Sequence, residues 1–60
     1  METFKTVAEA TTAAIIFFEQ NFDYQSGVGY EKRPENVLEF YSKDDPAMDD
    51  TFTCKIDADA

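Results

Sequence analysis

Apolar or small residues recur at Phe4, Val7, Ala8, Thr11, Ala14, Ile15, Phe18 and Phe22, in steps of three and four. That spacing lines one side of a helix. Thr6-Val7-Ala8-Glu9 fits a capping box, in which a Thr hydroxyl and a Glu three residues on satisfy free amides of the first turn. The pattern predicts a helix from about Thr3 or Thr6 to about Asn21. Ala13 to Phe18 is apolar almost all round, with Ile16 and Phe17 off the main stripe. A helix apolar on every side is buried on every side. Ile16 and Phe17 are therefore candidates for self-association. Ile15-Ile16-Phe17-Phe18 also suits a strand by residue type, but the preceding alanines and the capping box favour the helix.

After residue 25 the period changes. Ser26-Gly27-Val28-Gly29 reads as a connector and Tyr30-Glu31-Lys32 as a short strand. Arg33-Pro34-Glu35-Asn36 reads as a turn, because proline presets φ at its second position. Val37 to Lys43 alternates, with Leu38 and Phe40 on one face and Glu39, Tyr41 and Lys43 on the other. Thr51 to Asp57 alternates too, with Phe52, Cys54 and Ile56 on the apolar face. Two such segments joined by a polar loop predict an antiparallel hairpin. Pairing Leu38 with Ile56 and Phe40 with Cys54 sets Glu39 opposite Lys55, a favourable cross-strand charge pair. The expected fold is α+β: one domain over 1–60, with an N-terminal helix (about 3–21) on a two- or three-stranded antiparallel sheet (about 28–57). Leu38, Phe40, Phe52 and Ile56 are expected to pack on Val7, Ile15 and Phe18.

Composition narrows the chemistry. One cysteine and no histidine among 60 residues leave no intrachain disulfide and too few ligands for structural zinc. A lone thiol fits a reducing compartment, so the cytoplasm is expected. No apolar run approaches the roughly 20 residues of a membrane helix. Thirteen acidic residues against five basic ones give a net charge of −8. That excess repels nucleic acid and anionic membranes and favours a protein partner with a basic surface. A globule of this length is about 27 Å across, and duplex DNA of that span carries about 16 phosphate charges. Carboxylates gathered on one face would approach that density, which admits nucleic-acid mimicry.

The densest acidic stretch is Asp44-Asp45-Pro46-Ala47-Met48-Asp49-Asp50. It lacks the alternating ligands, central glycine and distal Glu of a calcium loop, so it reads as a solvated hairpin loop or a docking surface for basic residues. Glu31, Glu35 and Glu39 extend that candidate surface, with Tyr30 or Tyr41 as an aromatic anchor and Tyr24 beside a loop. Tyrosine is enriched at interface hot spots. Cys54 falls at an inward strand position with no histidine to activate it, which marks a structural thiol. Gly27-Val28-Gly29 lacks the further Gly and the Lys of a phosphate loop. No catalytic set or cofactor motif stands out, and a non-enzymatic binding role is expected.

In size, charge and missing catalytic apparatus the chain is similar to the small acidic proteins with which phages block host defence, anti-CRISPR and anti-restriction inhibitors among them. The resemblance rests on general character and carries over no residues. It implies an inhibitor of a nucleic-acid-handling complex. The competing expectation is a small assembly subunit, an obligate homodimer through Ile16 and Phe17.

Overall fold

A computed structural model describes residues 1–23 and 26–60, so Tyr24 lies outside the described residues. The order of elements is β1 (Glu2–Phe4), α1 (Val7–Asn21), β2 (Val28–Arg33), β3 (Val37–Ser42) and β4 (Thr51–Ile56). The strands form one sheet in the order β1-β4-β3-β2. β1 runs parallel to β4, while the β2–β3 and β3–β4 pairs are antiparallel. The architecture is therefore one helix on a four-stranded mixed sheet, α+β as the patterning predicts, with β1 added.

The helix starts where the sequence signals it. Thr6 is extended, at φ −134° and ψ 159°, and its hydroxyl accepts the Glu9 amide at 3.1 Å. This satisfies one of the free donors of the first turn. Residues 2–4 are not part of the helix. Glu2, Thr3 and Phe4 stand opposite Cys54, Lys55 and Ile56, and the Phe4 carbonyl accepts the Asp57 amide at 2.8 Å. Three residues are too few to display a period, so Phe4 lay within reach of the helical stripe by spacing alone. In the fold it packs against the core from the sheet.

The core comprises Ala10, Ala14 and Phe18 of α1 with Leu38 and Phe40 of β3 and Cys54 of β4, flanked by Phe4, Val7, Phe17, Val28, Phe52 and Ile56. Two alanines facing the sheet bring the helix close to it, and Phe18 fills the lower end. Full burial of such a ring is worth about 1.5–3 kcal/mol. The buried stripe thus runs through Val7, Ala10, Ala14 and Phe17–Phe18, rotated from the expected one. Ile15 does not join the core. Phe17, expected off the stripe, stacks on Phe52 with centroids 5.3 Å apart and meets Phe18 edge-on at 5.1 Å.

The hairpin has the predicted phase but another register. Leu38 pairs with Cys54, Phe40 with Phe52, and Glu39 with Thr53, while Lys55 faces Val37. The expected Glu39–Lys55 pair does not form. A slip of two residues keeps every side chain on its face, so the pattern alone does not choose between these registers. In place of Lys55, Arg33 engages Glu39: its guanidinium donates to Glu31 at 2.6 Å and to Glu39 at 2.7 Å. It bridges two carboxylates that stand directly opposite each other across β2 and β3, and so relieves their repulsion.

Candidate functional site

The chain path creates two unlike ends. α1 descends from Val7 to Asn21, β2 and β4 rise, and β3 descends. The lower end gathers the last turn of α1, the start of β2, the end of β3, the 43–50 loop and the start of β4. Glu19, Asp23, Asp44, Asp45, Asp49 and Asp50 all lie there, against Lys43 as the one basic residue. The last turn of α1 holds no basic residue. Its carbonyl end adds the equivalent of about half a negative charge to the same end. Lys5, Lys32, Arg33 and Lys55 lie toward the opposite end.

Between α1 and the acidic loop runs a groove of about 400 Å³ lined by Phe18, Phe22, Asp23, Ser42, Asp44, Asp45, Asp49 and Asp50. Its floor is aromatic and its rim acidic. Phe22 caps the helix with an extended backbone, donating its amide to the Phe18 carbonyl at 2.9 Å, and its ring is 41% exposed. An apolar floor beneath carboxylates suits the aliphatic stem and cationic head of a lysine or arginine.

The four loop aspartates divide by role. One Asp45 carboxylate oxygen accepts the amides of Asp49, at 2.9 Å, and Asp50, at 3.4 Å, while the Asp45 carbonyl accepts the Met48 amide at 3.0 Å. Asp44 takes both the amide and the hydroxyl of Ser26, tying the loop to the residues just before β2, and its own amide bonds the buried Ser42 hydroxyl at 3.1 Å. Asp44 and Asp45 thus shape the loop. Asp49 and Asp50 are exposed on it. Among the described residues no three potential ligands converge to hold a metal ion.

The other expected contact residues do not join this end. Glu31 and Glu39 sit on the sheet face away from the helix, clamped by Arg33, whose pKa their hydrogen bonds hold above its usual value. Glu35 lies in the β2–β3 turn, at the opposite end. The two tyrosines face opposite ways. Tyr41 lies on the open face, half-buried, while Tyr30 stacks on Phe40 from the helix side at 5.3 Å and is 40% exposed. A single contact patch therefore does not hold both. Ile16 is 47% exposed beside a groove lined by Glu2, Ala13, Phe17, Gln20 and Phe52, whereas Phe17 is engaged internally.

Sequence reasoning missed Asp23 and Phe22, which complete the acidic groove. An acidic side chain two residues beyond the end of the helix was the available signal. Cys54 is fully buried, and burial pushes its thiol pKa up, with the Glu2 carboxylate adding to it. A thiol so placed is a poor nucleophile. No helix among the described residues is long and apolar enough to cross a membrane. No protein-family model, curated protein or solved structure matches the chain.

Proposed function

We propose that this chain is a small non-enzymatic binding protein that inhibits a basic or nucleic-acid-handling protein complex by inserting its acidic end into a basic groove. The supporting observation is the concentration of charge: five of the 13 carboxylates line one aromatic-floored groove beside the negative end of α1. Asp23, Asp49 and Asp50 are the proposed charge contacts and Phe22 the apolar one. Asp44 and Asp45 hold the loop in shape. A cation drawn from the partner would lie along Phe22 with its head among the aspartates, as an arginine or lysine contacting DNA phosphate otherwise does. The action is mimicry of local charge density and needs no cofactor. Size and charge also fit a phage-type anti-defence inhibitor acting in a host cytoplasm.

The test is affinity capture from a bacterial lysate at low salt, with wild-type bait beside a bait carrying Asp23→Asn, Asp49→Asn and Asp50→Asn. The reading expects a basic, nucleic-acid-binding protein on the first bait and its loss from the second. Identical captures on both baits, or capture of acidic proteins alone, would refute it.

A further inference from the structure

The carboxylates of the acidic groove stand on two walls. Asp23 lies two residues past the end of α1, while Asp49 and Asp50 lie on the loop before β4. Both ion pairs among the described residues belong to Arg33, so these three enter none, and all three are exposed. Asp44 and Asp45 are engaged by Ser26 and by the loop's own amides. Phe18 and Phe22 form the floor. Phe18 is buried, so the aromatic surface on offer is Phe22, whose ring rests against Phe17 and Phe18 with centroids 5.9 and 5.7 Å away. Charge complementarity calls for a cation here, since Lys43 is the one basic residue at this end.

That layout separates the two side-chain cations a protein partner can present. An ammonium is a compact, strongly hydrated point charge, and it must give up water to lie on a ring. A guanidinium is planar and weakly hydrated, presents five donors in a fork, and stacks flat on an aromatic face. On this floor it can lie against Phe22 while its edges donate to Asp23 on one wall and to Asp49 or Asp50 on the other. We propose that the groove selects arginine over lysine, with Phe22 as the discriminating residue and Asp23, Asp49 and Asp50 as the acceptors. Its occupant is an arginine side chain on an exposed segment of the partner protein. The inference rests on the acidic end being the contact surface and adds which side chain that surface reads.

The test is a titration of the isotope-labelled full chain at low salt, followed by backbone amide NMR. The probes are blocked glycine peptides carrying one central arginine, lysine or citrulline, the last keeping the arginine shape without its charge. The arginine peptide is expected to shift the amides of Phe22, Asp23, Asp49 and Asp50 saturably in the millimolar range. It should bind about fivefold more tightly than the lysine peptide, as a stacked cation on an exposed ring allows, and the citrulline peptide should leave these amides unmoved. Phe22→Leu keeps an apolar floor and removes the ring, and should bring the arginine and lysine peptides within about twofold of each other. Equal binding of the two peptides to the wild type would overturn the selection of arginine and leave the contact surface standing. Full preference for arginine in Phe22→Leu would overturn the role of the ring, and the wild-type comparison decides the matter should that variant unfold. A flat titration with both charged peptides would overturn the contact surface as well.

Discussion

The ring of Tyr41 lies across Gly29, its direct partner in the β2–β3 ladder. A methyl group built at Gly29 would meet the Tyr41 hydroxyl oxygen at 2.6 Å and ring carbon Cζ at 2.7 Å. The glycine is needed for space, and the tyrosine covers backbone that the missing side chain leaves bare. Gly29→Ala forces the ring to swing away, and overpacking of this kind costs about 1–3 kcal/mol. Relief of glycine's own strand penalty, about 0.5–1 kcal/mol, offsets part of that. The expected net loss is about 1 kcal/mol by urea denaturation. In a Tyr41→Ala background the same change should become neutral or stabilising. Additive effects across that cycle would show that the ring does not rest on Gly29.

The hairpin phase has a sharp test in Phe40, which is fully buried between Tyr30 and Phe52. Truncation of such a ring to alanine costs about 3–5 kcal/mol. A 60-residue chain has little reserve, so Phe40→Ala should be largely unfolded at room temperature by circular dichroism. Near-native melting would contradict the assignment of the inner face.

Glu35 and Asn36 both hold left-handed backbone, at φ 64° and 63°. Asparagine tolerates that region, whereas glutamate is held there at a cost of about 1 kcal/mol. Glu35→Gly should therefore raise stability by up to about 1 kcal/mol, measured by thermal or urea unfolding. A loss on that substitution would mean that the turn is built otherwise.

The division of labour in the acidic loop predicts unequal substitutions. Asp45→Ala strands two amides that its carboxylate accepts, and charge-assisted bonds are worth about 1.5–3 kcal/mol. Asp49→Ala and Asp50→Ala remove exposed like charges, and each should stay within about 0.5 kcal/mol of wild type. Equal effects at the three positions, measured by urea denaturation, would show that Asp45 does not organise the loop.

Cys54 sets a pH dependence. Its folded-state thiol pKa is raised by burial, so in alkali the unfolded chain releases a proton that the folded chain keeps. The contribution of this group to stability is complete below the ordinary thiol pKa and is lost as pH rises from there toward the folded value. Cys54→Ser should flatten the alkaline decline in the unfolding free energy. In neutral buffer the native thiol should resist an aromatic disulfide reagent until the protein is unfolded.

Particular residues show what the sequence could carry. The helix start was legible because Thr6 and Glu9 act locally, and the inward faces of β3 and β4 were legible because alternation has a period of two. The register of β3 on β4 was not, since a slip of two residues leaves Leu38, Phe40, Phe52, Cys54 and Ile56 on the same face. β1 was invisible because three residues show no period. Of the candidate contacts, the loop aspartates were rightly placed in one loop. Their split into shaping and exposed members depends on backbone amides brought back by the turn. The separation of Tyr30 from Tyr41 follows from the β2–β3 register: they lie one rung apart in the ladder, on opposite faces.

The central claim is that binding depends on where the carboxylates lie and not on net charge alone. The direct measurement is the association rate with the captured partner at low salt for two variants of equal charge. One carries Asp23→Asn, Asp49→Asn and Asp50→Asn at the acidic end. The other carries Glu9→Gln, Glu35→Gln and Asp59→Asn away from it. Electrostatic steering raises association rates by factors of about 10 to 1,000 and fades with salt. The first variant should bind at least about tenfold more slowly than wild type, and the second within about twofold. Equal slowing in both variants, or none in the first, would contradict the account.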